Sequence, residues 1–225
     1  MDDLSNKTLA GVARMQGALA LMLFVPAWTL AYWQAWLYWL LSTAAALSTA
    51  LYFLERDPAL MRRRLDVGAG AEPLKSQQII QGIGGVLYAA MFIVAGIEHR
   101  VHGPQVPTLA VGLADAVVAA GLALTFLVFK ANTFTASTVT VEPGQRVVAT
   151  GPYAVVRHPM YAASILWFLA TPFALGSPWA LVPAILMSIT VAARLVDEER
   201  HLRESLPGYD GYCETVRWRL IPGLW

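Results

Sequence analysis

The chain has one cysteine, Cys213, and little charge: 14% of its 225 residues are Asp, Glu, Lys or Arg, against 57% that are hydrophobic. A single thiol excludes an internal disulfide and a cysteine-based metal cluster within one chain. The shortage of charge is greatest between Arg14 and Glu55, where no acidic or basic residue occurs. That stretch is about twice the ~20 residues needed to cross a bilayer, so it must fold back on itself. The composition excludes an ordinary soluble domain. Also lacking are an internal repeat, a low-complexity tract and a short apolar region ending in a small-residue cleavage site, so the first helix is expected to stay as an anchor. Neither nucleic acid nor a metal ion is expected as a partner.

What is present is apolar sequence with sparse polar punctuation. The pattern predicts an all-α integral membrane bundle of about six transmembrane helices, with five as the alternative, and spans near 13–32, 36–54, 78–98, 108–130, 159–175 and 178–199. The first two are divided at "YWQAW", whose Trp33 and Trp36 suit a membrane interface. The last two are divided at "LGSPW", where Gly176 and Pro178 favour a turn, and they form a helix-turn-helix hairpin whose second helix extends beyond the lipid. With six spans, fifteen of the sixteen Lys and Arg residues fall on one side and only Arg100 on the other. A five-helix count scatters them. By the positive-inside rule both termini are then cytosolic, in a bacterial inner membrane or, for a eukaryote, the endoplasmic reticulum. Residues 1–130 are expected to form an N-terminal transmembrane bundle of four helices. Residues 131–225 then carry the chemistry, together with the hairpin and a cytosolic tail.

Two polar clusters border the hairpin. In "VVRHPMY", Pro159 fits the first turn of a helix and His158 falls near its N-cap; the free N–H groups there, with Arg157 beside them, favour an anion. In "RLVDEERHL", Arg194, Asp197, Glu198 and His201 follow i, i+3, i+4, i+7 spacing and share a helical face. A short turn returns both clusters to one cytosolic level, so Arg157 and His158 come near Arg194 and Glu198. Positive at one pole and acidic at the other, this arrangement suits a zwitterion such as an amino-acid moiety. Taken singly, Arg157 is a boundary arginine, and Glu199 with Arg203 is an ordinary surface pair.

Together "GQRVVATGPYAVVRHPMYAAS", "RLVDEERHL" and "LPGYDGYCETVRWRLIPGLW" resemble the isoprenylcysteine carboxyl methyltransferase family and the related phospholipid methyltransferases, over about the last 95 residues. Upstream, "RDPALMRRRL" resembles the family's segment before a basic run. The resemblance implies S-adenosylmethionine (AdoMet) at the cytosolic mouth of the bundle and a lipid-like or prenylated acceptor. It implies that Gln145, Arg146, Val147 and Val148 line the adenosine, followed by Gly151 and Tyr153. Arg157, His158, Pro159, Met160 and Tyr161 would hold the methionine end, with Glu198 also on the cofactor and Arg194 on the acceptor. Gln145 stands where the family usually has histidine; it can donate and accept hydrogen bonds but carries no charge.

A carboxylate acceptor, as in isoprenylcysteine-type O-methylation, is already ionised at neutral pH and needs only orientation by Arg194. An amine or phenol would need a base, for which Glu199 or a tyrosine is the candidate. The alternatives are a phospholipid or amine N-methyltransferase and an NADPH-dependent membrane lipid reductase of the sterol type. Asp115, inside the fourth span, is an intramembrane acid without an evident partner. The aromatic and basic C-terminal segment reads either as a surface anchor or as a lid over the cofactor.

Overall fold

A computed structural model of the chain describes residues 3–65, 68–141 and 144–225. The fold is an all-helical membrane bundle. Among the described residues five helices are long and apolar enough to span: α1 (Asp3–Ala27), α2 (Trp33–Arg56), α4 (Lys75–His102), α5 (Thr108–Ala131) and, including the 3₁₀ turn that leads into it, α7 (Leu181–Ser205). The expected fifth span is α6 (Pro159–Ala174), whose 16 residues reach about 24 Å, short of a ~30 Å hydrocarbon core. Two short helices, α3 (Pro58–Arg63) and α8 (Tyr209–Thr215), lie in the polar segments.

The first boundary differs from expectation. α1 begins at Asp3, because a polar first turn carrying the Lys7–Asp3 pair (2.6 Å) stays helical beyond the apolar part. The turn into α2 occupies residues 28–32, a few positions earlier than the Trp33–Trp36 motif, with Trp28 at φ +54°. Leu21, Val86, Leu109, Val182 and Ile189 are all more than half exposed, which places them toward lipid.

Helix ends follow local chemistry. Asp57 caps α3 by accepting from the Leu60 N–H at 3.0 Å, with Pro58 next in line. Pro159 opens α6, and Ser177 caps the following 3₁₀ turn through the Ala180 N–H. Close helix contacts depend on missing side chains: a Cβ at Gly96 of α4 would meet the Leu23 carbonyl of α1 at 2.6 Å, and one at Gly121 of α5 would meet Trp167 and the Ala163 carbonyl of α6 at about 3 Å. Between them lies the core, built on Leu23, Tyr32, Met91, Phe92, Leu175 and Leu195.

The hairpin turn is pinned to α4. Buried Glu98 accepts from the Ser177 hydroxyl and from the Trp179 N–H (3.0 Å), while the Tyr32 hydroxyl donates to the Leu175 carbonyl at 2.6 Å. Tyr32 also stacks on His99, with 3.8 Å between ring centroids. Asp115 is buried in α5 and neither of its carboxylate oxygens has a hydrogen-bond partner among the described residues.

Candidate active site

Because α6 and α7 are antiparallel, the start of one lies against the end of the other. Tyr161 donates its phenolic hydrogen to Glu198 and accepts from Arg194 Nε at 3.0 Å. Arg194 and Glu198, a full turn apart on α7, therefore meet at a tyrosine of α6 rather than pairing with each other. Asp197, expected on the same face, turns to α4, where it accepts from Ser76 Oγ (2.8 Å) and Gln77 Nε2 (2.7 Å).

Arg194 has a second anchor. Its NH2 lies 2.7 Å from Glu72, whose carboxylate is fully enclosed and also accepts from Gln81 Nε2 (2.6 Å) and the Val139 N–H (2.9 Å). Glu72 thus ties the loop before α4, the irregular chain after α5 and the end of α7 to one point. Nothing in its neighbourhood "GAGAEPLK" signals this; only a lone acid in a Gly- and Ala-rich stretch hints at it.

Glu199 is placed differently from the expectation of a catalytic base. Its carboxylate is buried and lies within 3.1 Å of Arg157, 3.6 Å of His158, 3.3 Å of Arg203 and 2.7 Å of Arg219. It is not among the residues lining the cleft described next. Surrounded by cationic donors, its oxygens are committed to cross-linking α6, α7 and the tail. Backbone bonds extend that link, since the Arg157 and His158 N–H groups donate to the carbonyls of Trp218 (2.8 Å) and Arg219 (3.0 Å). Arg157 NH1 reaches the Val216 and Arg217 carbonyls, both at 3.0 Å.

Under this strap lies a cleft of about 840 Å³ including its open mouth. Of the residues expected on a cofactor, Gln145, Arg146, Val147, Val148, Tyr153, Arg157, His158, Pro159, Met160, Tyr161 and Glu198 all line it, and so does Arg194. Gly151 does not; at φ +59° it opens the 3₁₀ turn that presents Tyr153. The tail supplies one wall through Leu206, Tyr209 and Tyr212. Tyr212 donates to the Tyr153 carbonyl (2.7 Å), and the Tyr209 hydroxyl lies 3.3 Å from His158 Nε2. Of the segment 206–225, read either as a lid or as a surface anchor, Leu206, Tyr209 and Tyr212 wall the cleft, while Trp218, Ile221, Leu224 and Trp225 are exposed. The lining also includes residues that the sequence did not single out, Asn132 and the 134–140 segment.

Burial pushes the Tyr153 phenol up to about 12, against a hydrogen bond from Asn132. Burial likewise raises Tyr209 and Tyr212 above the ordinary tyrosine value. Arg64, after α3, is pulled down to about 10 by burial and so stays charged at neutral pH.

A second groove of about 1020 Å³ opens between α4 and α7, floored by Met160 and Ser164 of α6. Met160 and Arg194 border both spaces.

The fold and the cleft define an integral membrane helical protein with a polar site at one end of its bundle. Residues 109–207 match the phospholipid methyltransferase family, a span covering somewhat under half of the chain and including both polar clusters. This supports a membrane methyltransferase and bears out the resemblance seen in the motifs at the level of that broad family. The chain is also similar to a Delta(14)-sterol reductase of Ascobolus immersus, 28% identical over 92 residues. That similarity takes in 39% of this chain and 21% of the reductase, so the chain spans about a fifth of the length of that curated relative.

Proposed function

We propose that the protein is an AdoMet-dependent methyltransferase of a cytoplasm-facing membrane surface, acting on a lipid-like carboxylate, with residues 1–130 as scaffold and 131–225 as catalytic region. The observation that carries this reading is the convergence of residues 157–161 with Arg194 and Glu198 on one cleft that shares Met160 and Arg194 with the groove between α4 and α7. The lining fits the cofactor: the first turn of α6 leaves backbone N–H groups without helical partners, suited to a carboxylate, while Glu198 suits an ammonium. The buried Nε of Arg157, which has no partner among the described residues, is a further donor at the anionic pole.

AdoMet would supply a methyl group on a sulfonium, passing it to the acceptor oxygen while the electron pair of the methyl–sulfur bond stays on sulfur, with no proton transferred. The protein's share is positioning and exclusion of water. Residues 145–148 would line the adenosine, His158 to Tyr161 with Glu198 would hold the methionine end, and Leu206, Tyr209 and Tyr212 would cover it. Arg194, fixed by Glu72 and Tyr161, orients the acceptor. Glu199 acts as a positioning residue through Arg157 and His158. With Glu199 committed and Glu198 hydrogen-bonded to Tyr161, the cleft is better suited to an acceptor that is already an anion than to an amine awaiting deprotonation.

A second reading, an NADPH-dependent lipid reductase, rests on the similarity to the sterol reductase. Calorimetry on the detergent-purified protein with AdoMet and with NADPH separates the two. Binding of AdoMet that weakens in His158→Ala and Glu198→Ala is expected; binding of NADPH alone would overturn the methyltransferase reading. The acceptor then follows from labelled AdoMet incubated with a membrane-lipid extract and mass identification of the product. Lys and Arg distribution supports cytosolic termini.

A further inference from the structure

The groove between α4 and α7 has an apolar body and a cationic end. Along it lie Gly84 and Gly85 of α4 and Met187 of α7; at its end stand Arg64 and Arg194. Gly85 is exposed, and a Cβ built there meets nothing within 4 Å, so the slot is open space that a larger side chain would fill.

The two arginines are incompletely satisfied. Arg194 spends Nε on Tyr161 and NH2 on Glu72 and the Ser137 carbonyl, leaving a buried NH1 with no partner among the described residues. Arg64 packs its guanidinium 4.2 Å from the Phe129 ring centroid, and its buried NH1 is likewise unpartnered. No carboxylate lies within ion-pair distance of Arg64 among the described residues. A ring face offsets only part of the cost of holding a guanidinium out of water, and an anion delivered to both NH1 groups offsets more. Each guanidinium also lies within electrostatic reach of the same phenol, Tyr161.

We propose that this groove is the acceptor site, with Arg64 and Arg194 sharing the carboxylate of a long-chain amphiphile whose tail lies along Gly84, Gly85 and Met187. This rests on the methyltransferase reading for the fate of the carboxylate, but not for its binding. Arg64 is then the specificity-determining residue: it selects an anionic headgroup and repels an ammonium, while Arg194 faces the cofactor cleft as well. The apolar slot selects for length of tail.

The test is direct binding of cis-parinaric acid to the full chain in maltoside, read as energy transfer from protein tryptophans and run without AdoMet. The wild type is expected to bind the probe and to release it to oleate but not to oleylamine. Arg64→Gln should weaken binding at least tenfold and Arg64→Lys should restore part of it. Gly85→Leu, a change that favours the helix, should weaken binding similarly by filling the slot. AdoMet affinity by calorimetry should be unchanged in all three. Absence of probe binding, equal displacement by the amine, or full affinity in both Arg64→Gln and Gly85→Leu would overturn the proposal. Probe binding with this pattern in a protein that ignores AdoMet would instead sink the methyltransferase reading and leave the groove assignment standing.

Discussion

The carboxylate of Glu72 lies 2.7 Å from the guanidinium of Arg194, joining residues 122 positions apart. The acid is fully enclosed, so the pair holds the end of α7 at a fixed height against the loop before α4. From there the contacts pass through Tyr161 to Glu198, from the edge of the groove between α4 and α7 to the cleft beneath the tail. Glu72→Ala leaves Arg194 partly buried without its counter-charge, a loss of about 3–5 kcal/mol. The thermal midpoint in detergent should fall by several degrees and methyl transfer should fall with it.

Glu198→Ala and His158→Ala should each weaken AdoMet at least tenfold by calorimetry, since both side chains border the cleft. An unchanged affinity in both would place the cofactor elsewhere.

For Glu199 the hub and the base make opposite forecasts. Glu199→Gln keeps the shape but removes the charge that holds Arg157, Arg203 and Arg219 together. The expected outcome is a lower thermal midpoint and a higher KM for AdoMet, with the pH profile of kcat keeping its shape. Loss of the acid limb of that profile would restore Glu199 as a base.

Truncation after Leu206 removes Tyr209, Tyr212 and the carbonyls that bind Arg157 and His158. AdoMet affinity should drop by more than tenfold, whereas replacing only the exposed Ile221 and Leu224 by Ser should leave it intact.

Alkaline pH should loosen the site. The Tyr153 phenol has its folded-state value raised to about 12, and Tyr209 and Tyr212 move the same way. A raised value favours the neutral phenol in the folded protein, so this contribution to stability is complete below the ordinary tyrosine value near 10 and is lost as pH climbs toward 12. The thermal midpoint should decline over that window, and less steeply in Tyr153→Phe.

Much of this was legible in the sequence because it depends on local signals. Apolar run length located the spans, Pro159 located the start of α6, and a short turn between two apolar stretches sufficed to place the 157–158 pair on the same cleft as Arg194 and Glu198. The polar first turn of α1 escaped because hydropathy reports where lipid is, not where a helix continues beyond it. Glu72 and Arg64 escaped for another reason: their importance arises from packing against segments distant in the sequence, and such enclosure leaves no periodic trace. The spacing of Glu198 and Glu199 was plain, yet adjacent residues on a helix point about 100° apart, which sends one to the cleft and the other to the tail.

Glu98 bears on how an amphiphile reaches the groove. That side chain fastens the α6–α7 turn to α4 at one end, and Asp197, accepting from Ser76 and Gln77, fastens α7 to α4 at the other. The two helices are thus laced at both ends, like a buttonhole, so a chain slipping between them enters at mid-length, beside Gly84 and Gly85, without the ends having to part.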